Sequence, residues 1–204
     1  MAKSLKVLAA FAILMCSDLA LSQGTFMYDQ QSSTDESTPA FGSGVTIQTA
    51  SPYGESFTPS LATIDFVRLK LNDSDPASGS GATLLIQLHS SSISGAIVAS
   101  TTPVSLANGF AGTANFFFSA PVSLVPGTTY VFEPIVQSGE PWNVDAHELN
   151  YPGGTAIFQG SMLPGSDLWF REGIIIPEPT SASLILLGVG AGIFAWRQRK
   201  CPKY

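Results

Sequence analysis

Ile64-Asp65-Phe66-Val67-Arg68-Leu69-Lys70-Leu71 alternates apolar and polar side chains, the period of a strand with one face in a core. The apolar set is Ile64 and Phe66, then Val67, Leu69 and Leu71, so the phase slips by one residue at Phe66-Val67. A β-bulge at that point keeps both halves on the core face. Outward from this stretch the same texture continues. Short runs rich in Val, Ile, Phe, Thr and Tyr are separated by clusters of Gly, Pro, Asn and Ser. They predict strands near Val45–Thr49, Ser56–Thr58, Thr63–Leu71, Thr83–Leu88, Ile97–Ser100, Thr113–Ser119, Thr128–Val136, Thr155–Phe158 and Leu168–Glu172. Pro126-Gly127, Asn108-Gly109 and Asp75-Pro76 supply turns between them. Pro134 has no N–H for a ladder, which puts its strand at an edge or ends pairing there. No internal window shows a helical apolar stripe.

The expected fold class is therefore all-β, an antiparallel two-sheet jelly-roll-like sandwich over residues 45–176. Residues 23–44 form a polar N-terminal segment. Its centre, Gln30 to Thr38, lacks periodicity and reads as loop or loosely attached chain. Before it, residues 1–22 read as a secretory signal peptide. Lys3 and Lys6 precede the apolar run Val7 to Met15, and Ala20-Leu21-Ser22 offers small residues to signal peptidase. Cys16 is not a lipoprotein cysteine, because Met15 stands where a small residue is needed.

Between signal and tail the chain carries three basic residues, Arg68, Lys70 and Arg171, against thirteen acidic ones, a formal net charge of −10. Such a domain repels nucleic acid and anionic membrane. Both cysteines, Cys16 and Cys201, lie outside it, so no disulfide is available within it.

Chemistry-bearing residues are sparse. There is no Gly-x-Ser-x-Gly elbow and no His-Glu-x-x-His zinc motif. His89 ends an apolar run and reads as a strand-end residue. His147 lies in Glu140-Pro141-Trp142-Asn143-Val144-Asp145-Ala146-His147-Glu148, the nearest approach to a catalytic cluster, which reads as a polar loop. A glycosidase needs two carboxylates across a bond, and nearness in sequence does not supply that. No cofactor is expected. Calcium is the one candidate ion, through Asp73 and Asp75 in a loop rich in oxygen donors, although turn formation explains the same residues. Trp142, Tyr151 and Trp169 are the aromatics on which a sugar ring could stack, with sandwich packing as the alternative.

The C-terminus, residues 177–204, has three parts in order. Pro177-Glu178-Pro179 blocks helix and sheet and stays extended. Residues 180–196 are uncharged and apolar, and read as a short transmembrane helix spanning about 25 Å. Residues 197–204 form a basic end, with Arg197, Arg199 and Lys200 as a cytoplasmic stop. Gly188, Gly190 and Gly192 weaken the helix as a permanent anchor.

This order resembles the PEP-CTERM sorting tail of exported bacterial proteins. The resemblance implies Pro177, Glu178 and Pro179 as residues recognised by an exosortase, a membrane cysteine protease-transpeptidase. It implies an inner-membrane intermediate held by the C-terminal helix, then the cell surface or extracellular matrix of a Gram-negative-type bacterium. Signal peptidase and exosortase are the expected partners in export, with polysaccharide as a candidate ligand. In the ectodomain, Ser56-Phe57-Thr58-Pro59, Ile64 to Leu69, Pro126-Gly127-Thr128-Thr129-Tyr130 and Asp167-Leu168-Trp169-Phe170-Arg171 resemble landmarks of jelly-roll modules in bacterial surface proteins. The expected function is that of an exported, non-enzymatic surface or matrix protein. The alternatives are a carbohydrate-binding module of the matrix and, behind it, a glycoside hydrolase.

Overall fold

The computed structural model describes residues 24–36, 45–147 and 151–177. The expected signal peptide, the transmembrane segment 180–196, the basic end, Glu178 and Pro179 lie outside the described residues. Among those residues, no helix is long and apolar enough to cross a membrane. The residues from Phe26 to Ile176 form one compact unit.

The unit is an antiparallel β-sandwich. One sheet places β1 (Thr25–Gln31), β15 (Phe170–Ile176), β4 (Thr63–Asp73), β10 (Trp142–Val144) and β2 (Val45–Thr46) in that order, with β8 (Ala111–Ser123) on the other side of β4. The second sheet runs β13 (Ser161–Leu163), β12 (Ala156–Phe158), β3 (Gly54–Phe57), β9 (Tyr130–Gly139), β5 (Ala82–Ser90), β6 (Ile97–Ser100), with β7 (Val104–Leu106) also on β5. A small pair, β11 (Ala146–His147) with β14 (Asp167–Leu168), and a single helical turn, α1 (Ile47–Ala50), complete it.

The core lies between the sheets. Ile64, Val67, Leu69, Leu71, Phe116, Trp142, Val144 and Phe170 come from the first sheet, and Phe57, Leu84, Ile86, Leu88, Tyr130 and Phe132 from the second. Aromatic pairs bridge it, with Phe132 and Phe170 at 5.1 Å between centroids and Tyr151 set edge-on to Phe170 at 5.1 Å.

The bulge exists, but one step earlier than the sequence suggests. The β4–β8 register shifts between Ile64 and Phe66: Ile64 pairs with Val122, while Phe66 pairs with Phe117. The extra residues are on β8. Phe66 consequently lies outside the inter-sheet core and yet is fully buried. Phe26 meets it edge-on at 4.8 Å, Tyr28 at 5.7 Å, and Phe117 lies 6.5 Å away. An aromatic side chain buried on the outer face reads in sequence like one on the inner face, so in the sequence the phase slip falls at Phe66-Val67.

Two further expectations are corrected. The segment 23–44 is not merely polar chain, because Thr25–Gln31 is a strand of the first sheet. Gly173 on β15 permits this approach, since a Cβ there would meet the Met27 carbonyl oxygen at 2.0 Å. For Pro134 the edge position is the part corrected, because β9 is flanked by β3 and β5, while pairing with β3 does end before it. Its missing N–H is tolerated because the β3 ladder covers only Tyr130 to Phe132.

Candidate functional site

Two polar clusters are removed from water, and they differ in sign. The first is acidic. Glu55 on β3 stands opposite Phe132, so it points between the sheets, and it is 0 % exposed. Its Oε2 accepts the Leu168 N–H at 2.9 Å, and Asp167 lies beside it. Burial pushes the Glu55 carboxyl up to about 9; the Leu168 N–H opposes this and the Asp167 charge adds to it. Asp167 is itself raised by burial, against the 3.1 Å bond that Tyr151 N–H donates to its Oδ2. Glu172 on β15 is also 0 % exposed. Neither of its oxygens has a well-aligned hydrogen-bond partner among the described residues. Burial first, then the charge of Asp29, push it up to about 9. Asp29 on β1 behaves oppositely. Burial would raise it, but donors from Ser60 and Leu61 outweigh that and hold it below its usual range. Its Oδ2 accepts the Ser60 N–H at 2.8 Å and the Leu61 N–H at 3.0 Å, and the Ser60 hydroxyl donates to Oδ1.

Tyr151 sits between these acids. Its hydroxyl donates to Gln30 Oε1 at 3.1 Å and accepts the Thr58 N–H at 3.4 Å. Burial, with the charges of Glu172, Glu55 and Asp29, raises its phenol far above normal. The ring fits because residue 153 is glycine: a Cβ there would meet the Tyr151 hydroxyl at 2.4 Å. Two buried acids held neutral, each beside a second carboxyl group, join β3 to β14 and β15 to β1.

The second cluster is basic and lies on the outer face of the first sheet. Arg68 and Arg171 are register partners on β4 and β15. Both donate through Nη1 to Glu36 Oε1, at 2.8 and 2.6 Å. Arg68 also donates to Asn115 at 2.6 Å, and the Arg171 guanidinium lies 3.4 Å from the centroid of the Tyr28 ring. Next along β4, Lys70 Nζ lies 3.5 Å from Asp145 Oδ2, with both side chains nearly out of water. The three bases of the domain are thus all used on one face.

The residues singled out in sequence are placed as follows. Trp142 is 0 % exposed, Trp169 2 % and Tyr151 7 %, so no ring of the three offers a face to solvent. Trp142 and Tyr151 belong to the core, while Trp169 donates from its indole to the Asp35 carbonyl on the outer side. Asp73 is a turn former: Oδ1 accepts Asp75 N–H at 2.9 Å and Oδ2 accepts Gly109 N–H at 2.8 Å. One backbone donor to each oxygen is the pattern of a side chain that organises a turn. No group of three or more His, Cys, Asp or Glu able to hold a metal ion occurs among the described residues. Of the stretch read as a polar loop, Glu148 lies outside the described residues, and the rest carries two short strands: Trp142 to Val144 is β10 and Ala146-His147 is β11. His89 Nε2 faces Glu133 Oε2 at 3.1 Å, and burial raises the Glu133 carboxyl against the influence of His89. Pro177, the first sorting residue, follows directly on the end of β15 at Ile176.

The acidic pairs went unseen in sequence because their members come from opposite ends of the chain. The one available hint was the excess of acids over bases.

Residues 176–200 match the family of the PEP-CTERM protein-sorting motif. The motif implies export, processing by an exosortase and sorting to the cell surface. No curated protein matches the chain.

Proposed function

We propose that the chain is a non-enzymatic surface or matrix protein whose sandwich is the cargo and whose tail is a temporary membrane address. The observation that carries this reading is the sorting motif at residues 176–200, which begins at the last residue of β15. Glu55 and Glu172 lie buried, each beside a second carboxyl group, and are held neutral between packed strands. That favours a role in holding the fold over general acid–base work on a substrate. The burial of Trp142, Tyr151 and Trp169 weighs against sugar stacking at those rings.

In this reading the membrane-spanning form is an intermediate, and the mature protein lacks residues 182–204. Replacing Pro177-Glu178-Pro179 by three alanines removes the recognition element and leaves the apolar span. Unprocessed protein should then accumulate in the membrane fraction of the native host, while wild-type protein yields a shortened C-terminus by mass spectrometry. An intact Tyr204 terminus in wild-type membranes, unchanged by the replacement, would reduce the tail to an anchor. A panel of fluorogenic glycosides and a glycan array address the other two readings; turnover or a defined sugar ligand would displace the structural one.

A further inference from the structure

Lys70 and Asp145 are cross-strand neighbours. Val144 pairs with Leu71, and the ladder continues as Asp145 N–H donates to the Lys70 carbonyl at 2.9 Å. Side chains opposite each other on antiparallel strands share a face. Here Lys70 Nζ and Asp145 Oδ2 are 3.5 Å apart, with the side chains 7 % and 2 % exposed. The pair sits where the edge of β4 passes from β10 to β15, and Trp169 N–H closes the join by donating to the Asp145 carbonyl at 2.8 Å.

We propose that this pair condenses to an intramolecular amide, a covalent bond between Lys70 Nζ and Asp145 Cγ. An ammonium and a carboxylate in water resist condensation because both ions are well hydrated. Burial strips that hydration and removes the advantage of the charged pair over a neutral amide. Fixed strands also turn a bimolecular step into a unimolecular one with the partners already in place. The ammonium first passes one proton to the carboxylate. The Nζ lone pair then attacks Cγ and the C–N bond forms. The carboxyl hydroxyl, protonated by the second proton leaving nitrogen, departs as water, and Nζ keeps one hydrogen. The ammonium and carboxylate are thereby replaced by one amide and one water, with no oxidant or co-reactant. The bond would bind the middle of the chain to its later part in a domain that has no cysteine, and it does not depend on how the tail is processed.

Trypsin reads the outcome. Between Arg68 and Arg171 the only cleavable side chain is Lys70. Full-length chain is recovered from the exporting cell, unfolded in denaturant and digested. The proposal expects no cleavage after Lys70. A peptide running from Leu69 to Arg171 should appear about 18 Da, one water, below its sequence mass. A Lys70→Arg variant keeps the charge but lacks the amine, and should give cleavage at residue 70 with no mass deficit. Wild-type peptide starting at Leu71 at full mass, or a Leu69–Arg171 peptide without the deficit, would show an ion pair only and overturn the proposal. If the variant does not fold, the wild-type digest decides alone.

Discussion

The acids between the sheets and the bases outside β4 are both withheld from water, yet they are neutralised in different ways. The ionisable neighbours of Glu55 and Glu172 are other acids and a phenol, with no base among them, so protons remove their charge. Arg68 and Arg171 are met by Glu36 and Lys70 by Asp145, so a partner of opposite kind removes the charge of each. A domain with thirteen acids and three bases cannot pair every carboxylate. It gathers its bases on one outer face and leaves the interior to protonation. Stability should therefore be sensitive to pH in one cluster and to partner removal in the other.

The largest expected effect is on pH. The folded chain holds protons on Glu55 and Glu172 up to about pH 9, whereas unfolded glutamate releases them near about 4.3. Both folded values are raised, so the stability they contribute is complete below the unfolded value and declines as pH climbs toward 9. Each site gives a slope of up to about 1.4 kcal/mol per pH unit, so several kcal/mol are at stake across the window. Urea midpoints from pH 5 to 9 should fall steadily, and Glu55→Gln with Glu172→Gln should flatten the fall. Asp29, held below its usual range, acts in the opposite direction and only at acid pH. A flat profile in wild type would dissolve the distinction between the clusters.

Next comes Lys70→Met, which leaves the Asp145 carboxylate inside without its ammonium. Removing one partner of a buried pair costs about 3–5 kcal/mol. Glu172→Gln alone at pH 8 should instead be neutral or stabilising, because it replaces a group that must hold a proton by one that needs none. Equal losses in the two variants would mean that the two clusters are built alike. The smallest effect belongs to Arg171→Lys. The charge survives, but the stacking over Tyr28 at 3.4 Å and the fork are lost, at about 1 kcal/mol in thermal denaturation. No change would show that the ion pair with Glu36 alone accounts for the contribution of Arg171.

Much of the sandwich was legible because β4, β5, β8 and β9 carry dense runs of apolar, β-branched and aromatic residues, bounded by Gly, Pro, Asn and Ser. β1 was not, because Asp29-Gln30-Gln31 looks like solvent-facing chain. Its polar groups are in fact used internally: Asp29 takes donors from Ser60 and Leu61, and Gln30 takes the Tyr151 hydroxyl. β10 was hidden for the same reason, with Trp142 and Val144 in the core between residues that read as polar loop. The sorting tripeptide was legible because its signal is local and ordered. Glu55 and Glu172 gave no local sign, since a buried neutral glutamate and an exposed charged one have the same letter.

The junction at Ile176 and Pro177 has a mechanical consequence. Pro177 follows Ile176 directly, so a load applied to the C-terminal side of the domain enters through β15, and its component along that strand meets the ladders on both sides. That strand is bonded on one side to β4, antiparallel over Leu69 to Phe66, and on the other to β1. A load along the strand shears these bonds together instead of opening them singly from one end, so both neighbours resist at once. The terminal strand therefore works as a tether root seated between two rails, with its own Arg171 fastened to Glu36 on the outer face.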